Sequence, residues 1–192
     1  MNRTRRFALS KALSFTAGIA ALAAVTALSA PGLRAQDAGA GNTRPAPEFQ
    51  GIDRWLNSEP LEIRKLRGRV VLVDFWTFDC GNCLNQLPYV KDWNAKYKDQ
   101  GLVVVGVHTP EFPFERSTEN VQRAIRQLQI SHAVAQDNSY ATWRAFGNEF
   151  WPAIYLIDKQ GRIVYSHFGE GRYGETEKKI QALLAEPAPA GS

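Results

Sequence analysis

Cys80 and Cys83 are the only cysteines in a chain of 192 residues, and two residues separate them. At helical spacing, positions i and i+3 stack on one face, which brings two sulfurs within bonding reach. Val70 to Phe75 is a β-branched, apolar run that does not alternate polar with apolar, so it reads as a buried strand. From Leu84 to Tyr97, apolar residues at Leu84, Leu87, Val90 and Trp93 mark one helical face. The cysteines therefore fall where a strand hands over to a helix N-terminus. The partial positive charge there favours a thiolate over a thiol. That is chemistry for thiol–disulfide exchange.

A CxxC pair closes too small a loop to restrain the unfolded chain much, so a purely structural bridge is a poor explanation. Metal binding is the other reading of two cysteines, but structural zinc needs four ligands and there is no second CxxC. His108, His132 and His167 are scattered, so no metal ligand set is assigned. Asp74 lies inside the apolar strand, where a carboxyl is costly unless paired or protonated. It is read as functional, with a satisfied core carboxylate as the alternative. Glu111 sits in a proline-flanked loop after the next strand, where it is either a second proton carrier or a solvated glutamate. Trp76 and Trp151 are expected to line the site and contact substrate, with Trp151 also shaping a substrate groove.

The elements that must position these residues follow in order. Phe49 to Leu56 and Leu61 to Leu66 form short edge elements, and the cysteine helix ends at Asp99-Gln100-Gly101. Leu102 to Val107 is a second buried strand, joined to the first by a right-handed crossover. Pro110 and Pro113 force a loop, Ser117 to Asn120 cap a helix, and Ala133 to Ala135 is a short strand. A helix with Tyr140, Trp143 and Phe146 on one side precedes the Trp151–Asp158 stretch. Lys159-Gln160-Gly161 turns a hairpin, and a last helix packs on Ile180, Leu183 and Leu184. The sum is an α/β domain with a central mixed sheet flanked by helices.

The N-terminus differs in kind. Arg3, Arg5, Arg6 and Lys11 precede an uncharged Ala/Leu-rich run from Ala12 to Ala30, the layout of a secretory signal. Residues 1–35 are expected to be a signal peptide or membrane anchor, with cleavage preferred; Arg5-Arg6 also loosely fits twin-arginine export. Residues 36–47 read as a flexible linker, 48–186 as the domain and 187–192 as a disordered tail. Five of the 23 basic residues precede Gln36 and none of the 19 acidic ones does, so residues 36–192 carry 18 basic against 19 acidic groups. The basic balance belongs to the targeting segment, which removes the support for nucleic-acid binding.

Together, Trp76-Thr77-Phe78-Asp79-Cys80-Gly81-Asn82-Cys83, Gly106 to Phe112, Trp151-Pro152-Ala153 and His167 to Gly171 resemble the thioredoxin-like superfamily. The likeness is to its exported TlpA/ResA-type and DipZ-type thiol–disulfide interchange proteins, over roughly Glu48 to Leu184. The resemblance implies a thioredoxin fold with an inserted helix segment between the βαβ half and the C-terminal hairpin. It implies that Cys80 attacks, Cys83 resolves and Asp74 assists proton transfer at Cys83. It also implies a cis-proline at Pro152, whose neighbouring backbone binds an extended substrate. No cofactor beyond the Cys80–Cys83 disulfide is implied. Partners would be exported thiol- or disulfide-containing proteins, apocytochrome c among them in relatives, and a membrane electron-donor protein of the CcdA/DsbD type. The protein is expected to be periplasmic or otherwise exported, and monomeric.

Two departures matter. Asp79 stands where thioredoxin has tryptophan, and Gly81-Asn82 carries neither proline nor histidine at its second position. Both bear on redox poise, so no reducing or oxidising label transfers, although reduction is favoured. The alternatives are a thiol peroxidase, since Thr77 lies three residues before Cys80, and a non-enzymatic metal carrier or adaptor using the same two sulfurs.

Overall fold

Strand β3 (Val70–Trp76) is buried at all seven positions, and the rest of the domain packs around it. The computed structural model describes residues 43–188. Around β3 lie β1 (Arg44–Pro45), β2 (Arg54–Leu56), β4 (Leu102–His108), β5 (Ala133–Gln136), β6 (Ala153–Ile157) and β7 (Arg162–Phe168). The helices are α1 (Gly81–Tyr97), α2 (Thr118–Gln127), α3 (Ala141–Phe146) and α4 (Tyr173–Ala185). Short 3₁₀ turns occupy Ile63–Leu66, Lys98–Gln100 and Pro113–Arg116. The strands form one sheet in the order β1-β7-β6-β3-β4-β5-β2, with β3, β4 and β5 parallel and every other pairing antiparallel. This is the thioredoxin-type mixed sheet the resemblance implied.

Alternation along β3 divides its side chains between two cores. Val71, Val73 and Phe75 enter one with Trp143, Phe146 and Tyr155. Phe75 meets those three rings edge-on, at centroid distances of 5.6, 5.4 and 5.7 Å. Val70 and Leu72 enter the other, against Val90 and Trp93 of α1 and Ile180 and Leu183 of α4. Burial on both faces is why the strand reads as a continuous apolar run. It also makes Asp74, on the α1 side, the exception that needs explaining.

Register gathers the loops that matter. Trp76 pairs with His108, Phe75 with Ala153, and Ala153 with Phe168. The ends of β3, β4 and β7 and the start of β6 thus share one end of the sheet. The segment from Thr77 to Cys80, the loop after His108, the approach to Pro152 and the turn after Phe168 all meet there. Gly101, at φ 108°, ends the turn after α1 and returns the chain to β4.

Two expectations change. Arg44–Pro45 is not part of a flexible linker: it pairs with Arg162 and Ile163 of β7, and Ala46 N–H donates to Gly161 O at 3.0 Å. Sheet hydrogen bonds at a polar edge leave no apolar pattern, so the ordered domain starts before Glu48. The Leu61–Leu66 element is a 3₁₀ turn, held by Glu48, whose carboxylate accepts from the N–H groups of Ile63 and Arg64 at 2.7 and 2.9 Å. The signal or anchor expected over 1–35 lies outside the described residues, as does most of the 187–192 tail. Among the described residues no helix is long and apolar enough to cross a membrane.

Candidate active site

Cys80 is the N-cap of α1: its backbone is extended, at φ −91° and ψ 112°, and its sulfur accepts the Cys83 N–H at 3.2 Å. The two cysteines are joined as a disulfide with Cα atoms 5.2 Å apart. Cys80 is half-buried, whereas Cys83 is only 3 % exposed and packs with Trp76, Leu87, Val121 and Val134. This asymmetry follows from helix geometry. Cys80 sits outside the helix at its solvent-facing end, whereas Cys83, beneath it on the same face, lies within the first turn and is covered by the sheet and its neighbours. An incoming sulfur therefore reaches Cys80 first. A thiolate at Cys80 would sit among the unpaired N–H groups that open α1, which stabilise negative charge.

Asp74 lies beneath this turn, fully buried, and burial pushes its carboxyl up to about 7. One hydrogen bond opposes that rise, from Gln86 Nε2 to Oδ1 at 2.9 Å. Gln86 is one helical turn after Cys83 on α1, so a single side chain links the buried carboxyl to the face of the helix that carries Cys83. A group that titrates near 7 can accept a thiol's proton at neutral pH and return it.

The Trp151–Pro152 peptide is cis, the isomer the resemblance implied. Pro152 is buried and its carbonyl accepts from Gly169 N–H at 2.8 Å, which fixes the loop against β7. Trp151 is half-buried, packs onto the cluster that holds both cysteines, and donates from Nε1 to Thr109 O at 3.0 Å. It rests on Trp143, ring centroids 4.2 Å apart. Trp143 is placed in turn by Asp137, whose carboxylate caps α3 by accepting from the N–H groups of Ala141 and Trp143, each at 2.8 Å.

One assignment from the sequence needs correction, and a second, left between two readings, is narrowed. Trp76 was expected to contact substrate, but it is 2 % exposed. Its indole lies over Gly106 of β4, where an added Cβ would come within 2.9 Å of Nε1, so it forms the floor under the disulfide rather than a groove wall. Glu111, read as either a second proton carrier or a solvated glutamate, has an exposed side chain, as a solvated glutamate would. Its contribution is a backbone N–H, donated to Glu115.

Glu115 is the residue that sequence reasoning missed. It is fully buried, and its two oxygens receive four donors. Oε1 accepts from the Thr77 hydroxyl and from Asp79 N–H at 3.2 Å, and Oε2 from the N–H groups of Glu111 and Phe112 at 2.7 and 2.8 Å. Thr77 and Asp79 precede Cys80, while Glu111 and Phe112 belong to the loop after β4. One carboxyl thus ties the two loops together. Thr77 Oγ1 is also 3.2 Å from Nε2 of His108, which is wholly buried beneath a stacked Phe78. Burial pushes His108 down to about 4, with the Glu115 charge pulling the other way, so the ring is neutral at neutral pH. Because the Thr77 hydrogen goes to Glu115, His108 supplies the Nε2–H. The available signal was Pro113 at the first and Glu115 at the third position of a short helical turn, half of a capping box.

Known proteins fit this geometry. Residues 40–184 match the Redoxin family. The chain is 46 % identical over 147 residues to Protein DipZ of Mycobacterium tuberculosis, a match covering 75 % of this chain but 21 % of DipZ, so the chain spans about a fifth of that relative's length. It is 31 % identical over 143 residues to the thiol-disulfide oxidoreductase YkuV of Bacillus subtilis, covering 74 % of this chain and 96 % of YkuV. A crystal structure of a thioredoxin-like superfamily protein superposes with a TM-score of 0.70 at 27 % identity, over 76 % of this chain and 99 % of the other. With a half-exposed and a buried sulfur joined at a helix cap, the chain belongs to the Redoxin family as a thioredoxin-like thiol–disulfide oxidoreductase.

Proposed function

We propose that the protein reduces disulfides of partner proteins in an exported compartment, with Cys80 as attacking and Cys83 as resolving cysteine. The difference in exposure between the two sulfurs supports the assignment of attacker and resolver. The Cys80 thiolate attacks one sulfur of a partner disulfide, and the other partner sulfur leaves as a thiolate and takes up a proton. The Cys83 thiol passes its proton to ionised Asp74, and the Cys83 sulfur attacks Cys80. That displaces the second partner sulfur, which takes a proton in its turn. The partner gains two electrons as two thiols, and the protein is left with the Cys80–Cys83 disulfide. Trp151 and the backbone beside Pro152 hold the partner segment meanwhile.

Export rests on the basic and then Ala/Leu-rich N-terminus. An oxidising compartment would leave the pair as a disulfide, so an outside dithiol must re-reduce it. A membrane electron donor of the CcdA/DsbD type suits that task. Thr77, the residue that had suggested a thiol peroxidase, has its hydroxyl committed to Glu115 and His108. A metal carrier would depend on the two sulfurs, since among the described residues no three His, Cys, Asp or Glu groups converge.

The test is covalent trapping. Cys83→Ser should accumulate mixed disulfides through Cys80, and Cys80→Ser should accumulate none. Equal trapping by the two variants would remove the assignment. The reduction potential then tests direction: a value near about −270 mV supports a reductase, and one near about −120 mV an oxidant.

A further inference from the structure

Among the described residues, most of the exposed large apolar side chains lie at the redox end of the domain. Phe112 (44 % exposed) and Phe114 (49 %) lie on the loop after β4, stacked with ring centroids 5.8 Å apart, and Phe114 continues to Phe78 at 6.0 Å. On the other side, Phe150 (51 %), just before Trp151–Pro152, lies 5.7 Å from Phe168 (46 %) at the end of β7. Register puts both pairs at the sheet end that carries Cys80. The Phe112–Phe114 pair reaches the cluster of Cys80 and Cys83 through Phe78, and the Phe150–Phe168 pair flanks it beside Trp151, so the exposed rings fall in two pairs at this end and are not scattered singly.

Charge accompanies the rings. Glu111 precedes Phe112, Glu149 precedes Phe150, and Asp79 follows Phe78; all three carboxylates are exposed. Glu170, two residues after Phe168, is also exposed and accepts from Asn85 Nδ2 of α1 at 3.1 Å, which sets that acid beside the cysteine helix. Two exposed arginines also lie at this end: Arg116, which donates to Asn138 O at 3.0 Å and keeps its charge, and Arg172, which faces Glu175 at 3.6 Å, so the four carboxylates outnumber them.

We infer that this aromatic and acidic rim is a docking surface for a cysteine-bearing polypeptide segment with apolar side chains beside the cysteine and lysine or arginine beyond them. The inference rests on the exchange reading above and names the partner class of that site. Formation of a mixed disulfide at Cys80 must bring a partner chain over this rim. The rings then bury apolar area against it, while the carboxylates attract basic segments and repel acidic ones.

The experiment uses three synthetic peptides, each with one cysteine carried as its mixed disulfide with 2-mercaptoethanol. One has apolar neighbours and outer lysines, one apolar neighbours and outer glutamates, and one serine neighbours with outer lysines. The dithiol form of the protein is mixed with each, and every rate is divided by the rate with 2-hydroxyethyl disulfide, a small neutral disulfide. The first peptide is expected to react about tenfold faster than either other. Its advantage over the glutamate peptide should shrink as salt is added, because exposed charges are screened. Glu111→Gln with Glu149→Gln should reduce the charge preference, and Phe114→Ser with Phe150→Ser the apolar one. Equal normalised rates for the three peptides overturn the docking surface while leaving the exchange chemistry standing. No reaction even with 2-hydroxyethyl disulfide overturns both together.

Discussion

Two fully buried carboxyl groups lie close to the same catalytic turn and live under opposite conditions. Asp74 receives one hydrogen bond, from Gln86, and burial carries it to about 7. Glu115 receives four, spread over both oxygens. A buried carboxyl left short of donors is held at the edge of protonation, which suits a group that must exchange a proton. A carboxyl whose oxygens are both paired serves as a brace, and what it braces is the segment leading into Cys80. Donor count, more than burial, separates the reactive acid from the structural one.

The comparison can be broken first at Asp74. Its folded value lies above its ordinary one of 3.8, so the folded state holds the proton more tightly than the unfolded chain does. Stability from this group is therefore fully present below about pH 4 and lost as pH rises through about 7. Asp74→Asn should raise stability at pH 8 by about 4 kcal/mol and leave it nearly unchanged at pH 4, in urea titrations of the oxidised protein. The same variant should slow resolution of the mixed disulfide about 100-fold and abolish the inflection near pH 7. A variant that resolves at the wild-type rate would remove Asp74 from the mechanism.

Glu115→Gln makes the same acid-to-amide change with the opposite sign. Its amide NH₂ would face two donors, so the variant should lose about 2–3 kcal/mol, with no new inflection in the rate. A stabilised Glu115→Gln would show that the four bonds do not brace the loop. The smallest effect sharpens the contrast. Gln86→Leu removes the one donor to Asp74 and should move the inflection upward by about one pH unit, read from the pH dependence of partner release.

The residues that could be read from the chain were those with a local signature. The CxxC pair, the buried strand before it and the apolar face of α1 each occupy a short stretch of sequence; the pair and the strand stand as expected, as do Leu87, Val90 and Trp93 of that face, whereas Leu84 is exposed. Pro152 depended on resemblance, because nothing local says that residue 152 returns to a turn at residue 80. Glu115 was illegible for a similar reason. Its donors come from two loops more than 30 residues apart, and a glutamate between phenylalanine and arginine looks like any surface acid. Glu111 attracted attention because its loop was correctly placed, but adjacency does not say which carboxylate turns inward. Trp76 was assigned to substrate because it is close to the cysteines. Strand alternation, which points it at the α1 side of the sheet with Leu72 and Asp74, could have forecast its burial.

The capping role of Cys80 makes electrons behave as a folding ligand. In the disulfide form the Cys80 sulfur closes the N-terminus of α1, and breaking its bond to Cys83 alters how a seventeen-residue helix is secured. Reduction and unfolding then form one thermodynamic cycle. The redox form that folds more stably is the one the protein is reluctant to leave. A more stable dithiol form makes the disulfide a strong oxidant, and a more stable disulfide form makes the dithiol a strong donor. Comparing the melting of the two forms therefore ranks the isolated protein as electron donor or acceptor relative to an unfolded CxxC pair, against which any partner's potential can then be set.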